Sequence, residues 1–120
     1  MATGQRAASE GICGALALLG PLALYLLTAA AAPTWLDSGE FIATGFVLGA
    51  AHPPGHPLFV TLVKLFCLLP LGPMAFRAAA ASAVAAALAS YLTFRVALAL
   101  SRSLDEGAAS WIRSLFALLG

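Results

Sequence analysis

Charge is what this sequence has least of. Six lysines and arginines and five aspartates and glutamates are spread over 120 residues, a charged fraction of 9% against about 25% in soluble domains. A chain so poor in charge has no polar surface to offer water, so its 62% of hydrophobic residues must face lipid or other helices. The formal net charge of +1 leaves little to attract a phosphate backbone, which removes nucleic acid as a partner. Cysteine is scarce too. Cys13 and Cys67 each stand alone in an apolar run with no Cys or His at ligand spacing, so neither a disulfide framework nor a zinc site is expected, and both read as small buried hydrophobes.

Long uncharged runs are what the sequence has instead. Residues 11–36 carry no charge, and Ile12 to Ala32 suffices for a first transmembrane helix, since about 20 helical residues cross about 30 Å. A cleaved signal peptide is the competing reading, with Arg6 before the run and small residues at Ala29 to Ala32. The run is longer than a usual signal core of about 7 to 15 residues, which favours the span. A second span is expected over 75–100, with Arg77 and Arg95 snorkelling toward the two interfaces. Its small residues at Ala78, Ser82, Ala86 and Ser90 form a stripe that lets another helix approach.

Between the spans, 37–51 and 56–71 read as helices lying on the membrane surface. The apolar stretch from Leu58 to Leu71 covers only about 21 Å as a helix, and it carries Lys64 near its middle and Pro70 near its end. Thr61 and Lys64 share one face, as an interfacial helix requires. After a turn at SRSLDEG, residues 109–120 begin a third apolar segment. The expected fold is therefore all-α: a polytopic membrane protein with two transmembrane helices, two interfacial helices in the loop between them and the start of a third span, the whole being the N-terminal part of a larger bundle. The arginine distribution places the N-terminus in the cytoplasm and the loop from Trp35 to Arg77 on the external face.

That loop collects the polar chemistry. The stretch WLDSGEFIATGFVLGAAHPPGHPLF holds two of the five acidic residues, both histidines and three of the seven prolines. Asp37 and Glu40 are spaced to project together from the first turn of a helix starting at Ser38. The structural alternative is an acidic capping box, with Asp37 as the cap and Glu40 reaching back to it. His52 and His56 have the spacing of a helical metal pair, but Pro53, Pro54 and Gly55 between them forbid that helix. Hydrogen bonding to a phosphate or to backbone is the better role for both.

The order of a first span, LDSGEF, AHPPGHPLF and LLPLGPMAFR leading into an alanine-rich span resembles the N-terminus of a domain-of-unknown-function family of polytopic membrane proteins. Its animal members are protein O-mannosyltransferases, and the group is similar to the GT-C glycosyltransferases. The resemblance covers roughly Ile12 to Leu100. It implies that Asp37 is the essential carboxylate with Glu40 beside it, and that the donor is a sugar on a polyprenyl phosphate. A cation must then meet the departing phosphate. Arg77 is the first candidate, with Lys64, His52 and His56 behind it. A divalent cation on Asp37 and Glu40 is conceivable, but two carboxylates and one histidine make an incomplete set, so no metal or other cofactor is indicated. The expected function is a membrane glycosyltransferase moving a sugar, mannose being one option, to an acceptor outside the cytoplasm. The alternative is a non-enzymatic helical module or transporter fragment whose loop docks a partner. Sugar, acceptor and stereochemical outcome are not written in this loop.

Overall fold

Four helices follow one another along the chain, α1 (Ala2–Leu27), α2 (Ser38–Val47), α3 (Pro57–Cys67) and α4 (Met74–Leu119). The computed structural model describes the backbone of residues 2–34 and 37–119, and the side-chain surroundings of residues 5, 8–34 and 37–104. No strand occurs among the described residues. Trp35, the expected start of the external loop, lies outside them.

Within α1, the 20 residues Ala8–Leu27 are long and apolar enough to cross a membrane, as are the 31 residues Met74–Leu104 of α4. α1 runs through Pro21 without a break, which a membrane helix tolerates when neighbouring groups satisfy the freed carbonyl. It ends at Leu27, five residues before the expected end at Ala32. The Thr28 hydroxyl takes the Leu24 carbonyl at 2.8 Å, the Ala29 N–H shifts to the Leu26 carbonyl at 3.4 Å, and Pro33 disfavours helical geometry at Ala32.

α1 and α4 lie side by side, and α2 and α3 pack on each other and on the start of α4. Gly14 is buried where α1 meets α4; a Cβ there would stand 3.4 Å from the Phe94 ring. Its neighbour Cys13 is exposed, against the expectation of a buried thiol, whereas Cys67 is buried as expected. Consecutive helix residues point about 100° apart, so when Gly14 seats the interface Cys13 turns away from it.

The small-residue stripe of α4 is split between buried and exposed positions. Ala78 is buried, as are Ala80, Ala81, Ala83 and Ala87, while Ser82 and Ala86 are exposed and line a groove with Tyr25 and Ala29. A correction concerns the turn expected at SRSLDEG, because α4 continues through it as one helix of 46 residues. Arg102, Leu104 and Glu106 are good helix formers, the segment has no proline, and one glycine costs only about 1 kcal/mol. The chain therefore has no break at 101–107 from which a separate third span could start.

The two short helices are brief for chemical reasons. α2 stops where Leu48 adopts a left-handed conformation (φ 58°), and the Gly49 N–H closes on the Thr44 carbonyl at 2.8 Å. α3 starts at Pro57, whose missing N–H has no partner to lose in a first turn. It ends at Cys67, before Pro70, so both helices are shorter than 37–51 and 56–71. Val63 is fully buried, clustered with Cys67, Ala78 and Ala81. Gly45 of α2 faces it: a Cβ at Gly45 would come within 2.3 Å of Val63 Cγ1, so only glycine permits this crossing. The Gly45 and Val63 contact fixes the last turn of α2 against α3.

Candidate functional site

The site is made by a chain reversal. After Leu48 the backbone doubles back along α2, and the turn closed by Gly55 N–H on the His52 carbonyl (2.8 Å) leads through a cis Pro53–Pro54 bond into α3. Gly55 (φ 87°) and His56 (φ 45°) both take left-handed geometry in this turn. The reversal brings His52 to Glu40, twelve residues earlier. Glu40 Oε1 accepts the His52 backbone N–H at 2.5 Å, and Oε2 lies 2.9 Å from His52 Nδ1. A carboxylate can only accept, so Nδ1 carries the proton in this contact.

One carboxylate thus fixes both the backbone and the ring of His52. The hydrogen bond from the His52 ring, and then that from its backbone N–H, hold the Glu40 carboxyl below its usual range. The same ring contact, followed by the Glu40 charge, pushes His52 up, and Asp37 adds to that push. With side-chain exposures of 44% for His52 and 37% for Glu40, the pair stands open to an incoming ligand.

Asp37 occupies the cap position of α2, but it has helical backbone angles (φ −86°, ψ −6°) and makes no side-chain cap hydrogen bond. Glu40 turns to His52 instead of reaching back. The capping box is therefore absent, because a cap side chain needs extended backbone to reach the N2 or N3 amide. Asp37, Glu40 and His52 each offer a donor atom, and these atoms lie within 4.8 Å of one another. That is the one grouping among the described residues with the ligand types and spacing to hold a metal ion.

Phe41 holds the histidine side of the site. Its ring centroid lies 5.8 Å from His52, 5.2 Å from His56 and 5.4 Å from Phe59, the last two edge-on. Sequence reasoning gave Phe41 no role; the signal was an aromatic residue inside the most polar stretch, next to Glu40. On its other side Phe41 joins Thr34, Ser38, Ile42, Phe59 and Ala78 around a groove of about 250 Å³. An acidic and imidazole cluster therefore opens beside an apolar slot.

The two cations expected to serve phosphate are engaged elsewhere. Arg77 donates from Nε to the Gly72 carbonyl at 3.0 Å and from Nη1 to the Cys67 carbonyl at 2.9 Å, tying the end of α3 to the start of α4. Lys64 donates to the Phe46 carbonyl and sits 5.5 Å from the centroid of the Phe46 ring. It thereby satisfies an orphan carbonyl in the last turn of α2. His56 packs against Phe41 and stands 5.8 Å from His52, ring to ring. The structure thus gathers Asp37, Glu40, His52 and His56, and gives Arg77 and Lys64 structural hydrogen bonds.

Comparison with known proteins gives this arrangement a family. Residues 37–119 match the model of the protein O-mannosyl-transferase TMEM260 N-terminal domain. The mouse protein O-mannosyl-transferase TMEM260 is 39% identical over 105 residues, an alignment that covers 78% of this chain and 15% of the mouse protein. No solved structure matches. The matched segment begins at Asp37 and takes in the acidic pair, the histidine turn and the helix that follows. The chain, with its two helices fit to cross a membrane, belongs to the family of the protein O-mannosyl-transferase TMEM260 N-terminal domain.

Proposed function

We propose that this chain is the donor-side part of a membrane O-mannosyltransferase of the GT-C type, acting on mannose carried by a polyprenyl phosphate, with the α2 and α3 loop on the external face. The observation that carries the reading is the convergence of Asp37, Glu40 and His52, with donor atoms within 4.8 Å, between two membrane-crossing helices. The chain spans about 15% of the mouse relative's length.

Each residue then has a task that its geometry allows. An acceptor hydroxyl attacks the anomeric carbon and its proton passes to Asp37, the carboxylate not engaged as a cap. The bond from the anomeric carbon to the phosphate oxygen breaks, and the electron pair leaves with the polyprenyl phosphate. Protonated His52, held by Glu40, lies where that negative charge develops. His52 takes precedence over Arg77 and Lys64 because those two are bonded to backbone carbonyls. The groove at Phe41, Ile42 and Phe59 suits the first isoprene units. Glu40 gives both oxygens to His52, and in this reading protonated His52, not a divalent cation, meets the leaving phosphate.

The test is donor dependence. Membranes containing the full-length parent protein should transfer labelled mannose from polyprenyl-phosphate mannose, not directly from a nucleotide sugar, and should do so equally well in EDTA. Transfer from the nucleotide sugar alone would contradict the donor class. Loss in EDTA with recovery on adding manganese would turn the same three residues into a metal site.

A further inference from the structure

We propose a second ligand site, for the headgroup of an anionic phospholipid, in the groove between α1 and α4 at the end of the helix pair remote from α2 and α3. The groove has a volume of about 470 Å³. Glu10, Tyr91, Arg95 and Arg102 line its polar part, and Leu18 and Phe94 its apolar part. A Cβ at Gly11 would meet nothing within 4 Å, so α1 leaves open space beside the charged groups.

Depth argues for a lipid headgroup. Arg95 is 21 residues beyond Met74, about 31 Å along a helix and close to one hydrocarbon thickness. With α2 and α3 at one membrane surface, Arg95 reaches the level of lipid phosphates at the other. Leu18 is eight residues further into α1 than Glu10, about 12 Å deeper, so an apolar wall continues below the charged mouth. A headgroup above and an acyl chain below match that gradient.

Charge argues for an anionic one. Arg102 pairs with Glu10, but Arg95 has no carboxylate among the described residues. Its Nη1 donates to the Tyr91 hydroxyl at 2.8 Å, and the guanidinium stands 5.7 Å from that ring. A planar guanidinium with donors to spare is suited to a phosphodiester, and basic pockets between membrane helices bind anionic headgroups.

The experiment uses the full-length parent protein in mixed micelles with a photoreactive phosphatidylglycerol, mapping adducts by mass spectrometry. Adducts should fall in 11–18 and 91–98, and unlabelled phosphatidylglycerol should displace them at least about fivefold better than phosphatidylcholine. Inorganic phosphate should not displace them. Arg95→Gln should cut labelling roughly fivefold, whereas Glu10→Gln, which frees Arg102, should raise it. Equal displacement by the two lipids, displacement by inorganic phosphate, or adducts elsewhere because another helix fills the groove, would overturn the proposal. So would equal losses in Arg95→Gln and Glu10→Gln, the signature of a purely structural ion pair. The lipid competition uses the unaltered protein, so it stands even if a variant misfolds.

Discussion

Glu40 binds one residue twice, through backbone and ring, and the pH response of the site follows from that. Because folding raises the His52 pKa, the pair's stabilisation through His52 is present below the ordinary histidine range and is lost as pH rises through the higher folded value. Because folding lowers the Glu40 pKa, its share is present above the ordinary glutamate range and is lost as pH falls through the lower folded value. The contact is fully formed between about pH 4.5 and 6.5 and weakens on either side. A titration of the His52 ring by nuclear magnetic resonance should give a midpoint above the ordinary value, and Glu40→Gln should bring it back down. An unchanged midpoint in that variant would mean the pair does not form. Asp37, Glu40, His52 and His56 could be singled out in the sequence because they are rare residues in an apolar chain. Their pairing could not. Local spacing suggested Glu40 with Asp37, while the actual partner comes through a chain reversal that no periodicity reports.

Between elements, the decisive contact is Gly45 against Val63, where α2 and α3 cross. Gly45→Ala would force a methyl into Val63 and should cost about 1–3 kcal/mol of stability, read as a lower unfolding temperature in detergent. Val63→Ala in the same chain should recover part of it, since the two changes share one contact. Arg77 belongs to this scale too. Arg77→Gln removes two bonds to carbonyls and should cost about 1–3 kcal/mol, while the KM for the donor stays near that of the parent. A KM increase without loss of stability would return Arg77 to the phosphate. Hydrophobic run length was enough to indicate α1, α4 and the two short helices between them. Their ends were less legible. Pro33 and Thr28 shorten α1, and α4 runs through SRSLDEG because nothing there breaks a helix strongly enough.

For the whole molecule, α1 and α4 each hold a segment long and apolar enough to cross a membrane, and α2 and α3 pack at one end of the pair. The proposed orientation predicts that, with Cys13 and Cys67 replaced, a membrane-impermeant thiol reagent labels Thr61→Cys in intact cells and labels Ser101→Cys only after permeabilisation. The reverse pattern would put the site on the cytoplasmic side. The central claim is that Asp37 performs chemistry, and the most direct measurement is mannose transfer from polyprenyl-phosphate mannose by the full-length parent protein and its Asp37→Asn variant, at matched membrane levels. Loss of a general base predicts a fall in kcat of about 10² to 10⁴ with little change in unfolding temperature, because Asp37 makes no cap hydrogen bond to lose. Undiminished transfer by Asp37→Asn, or a loss that merely tracks unfolding, would contradict it.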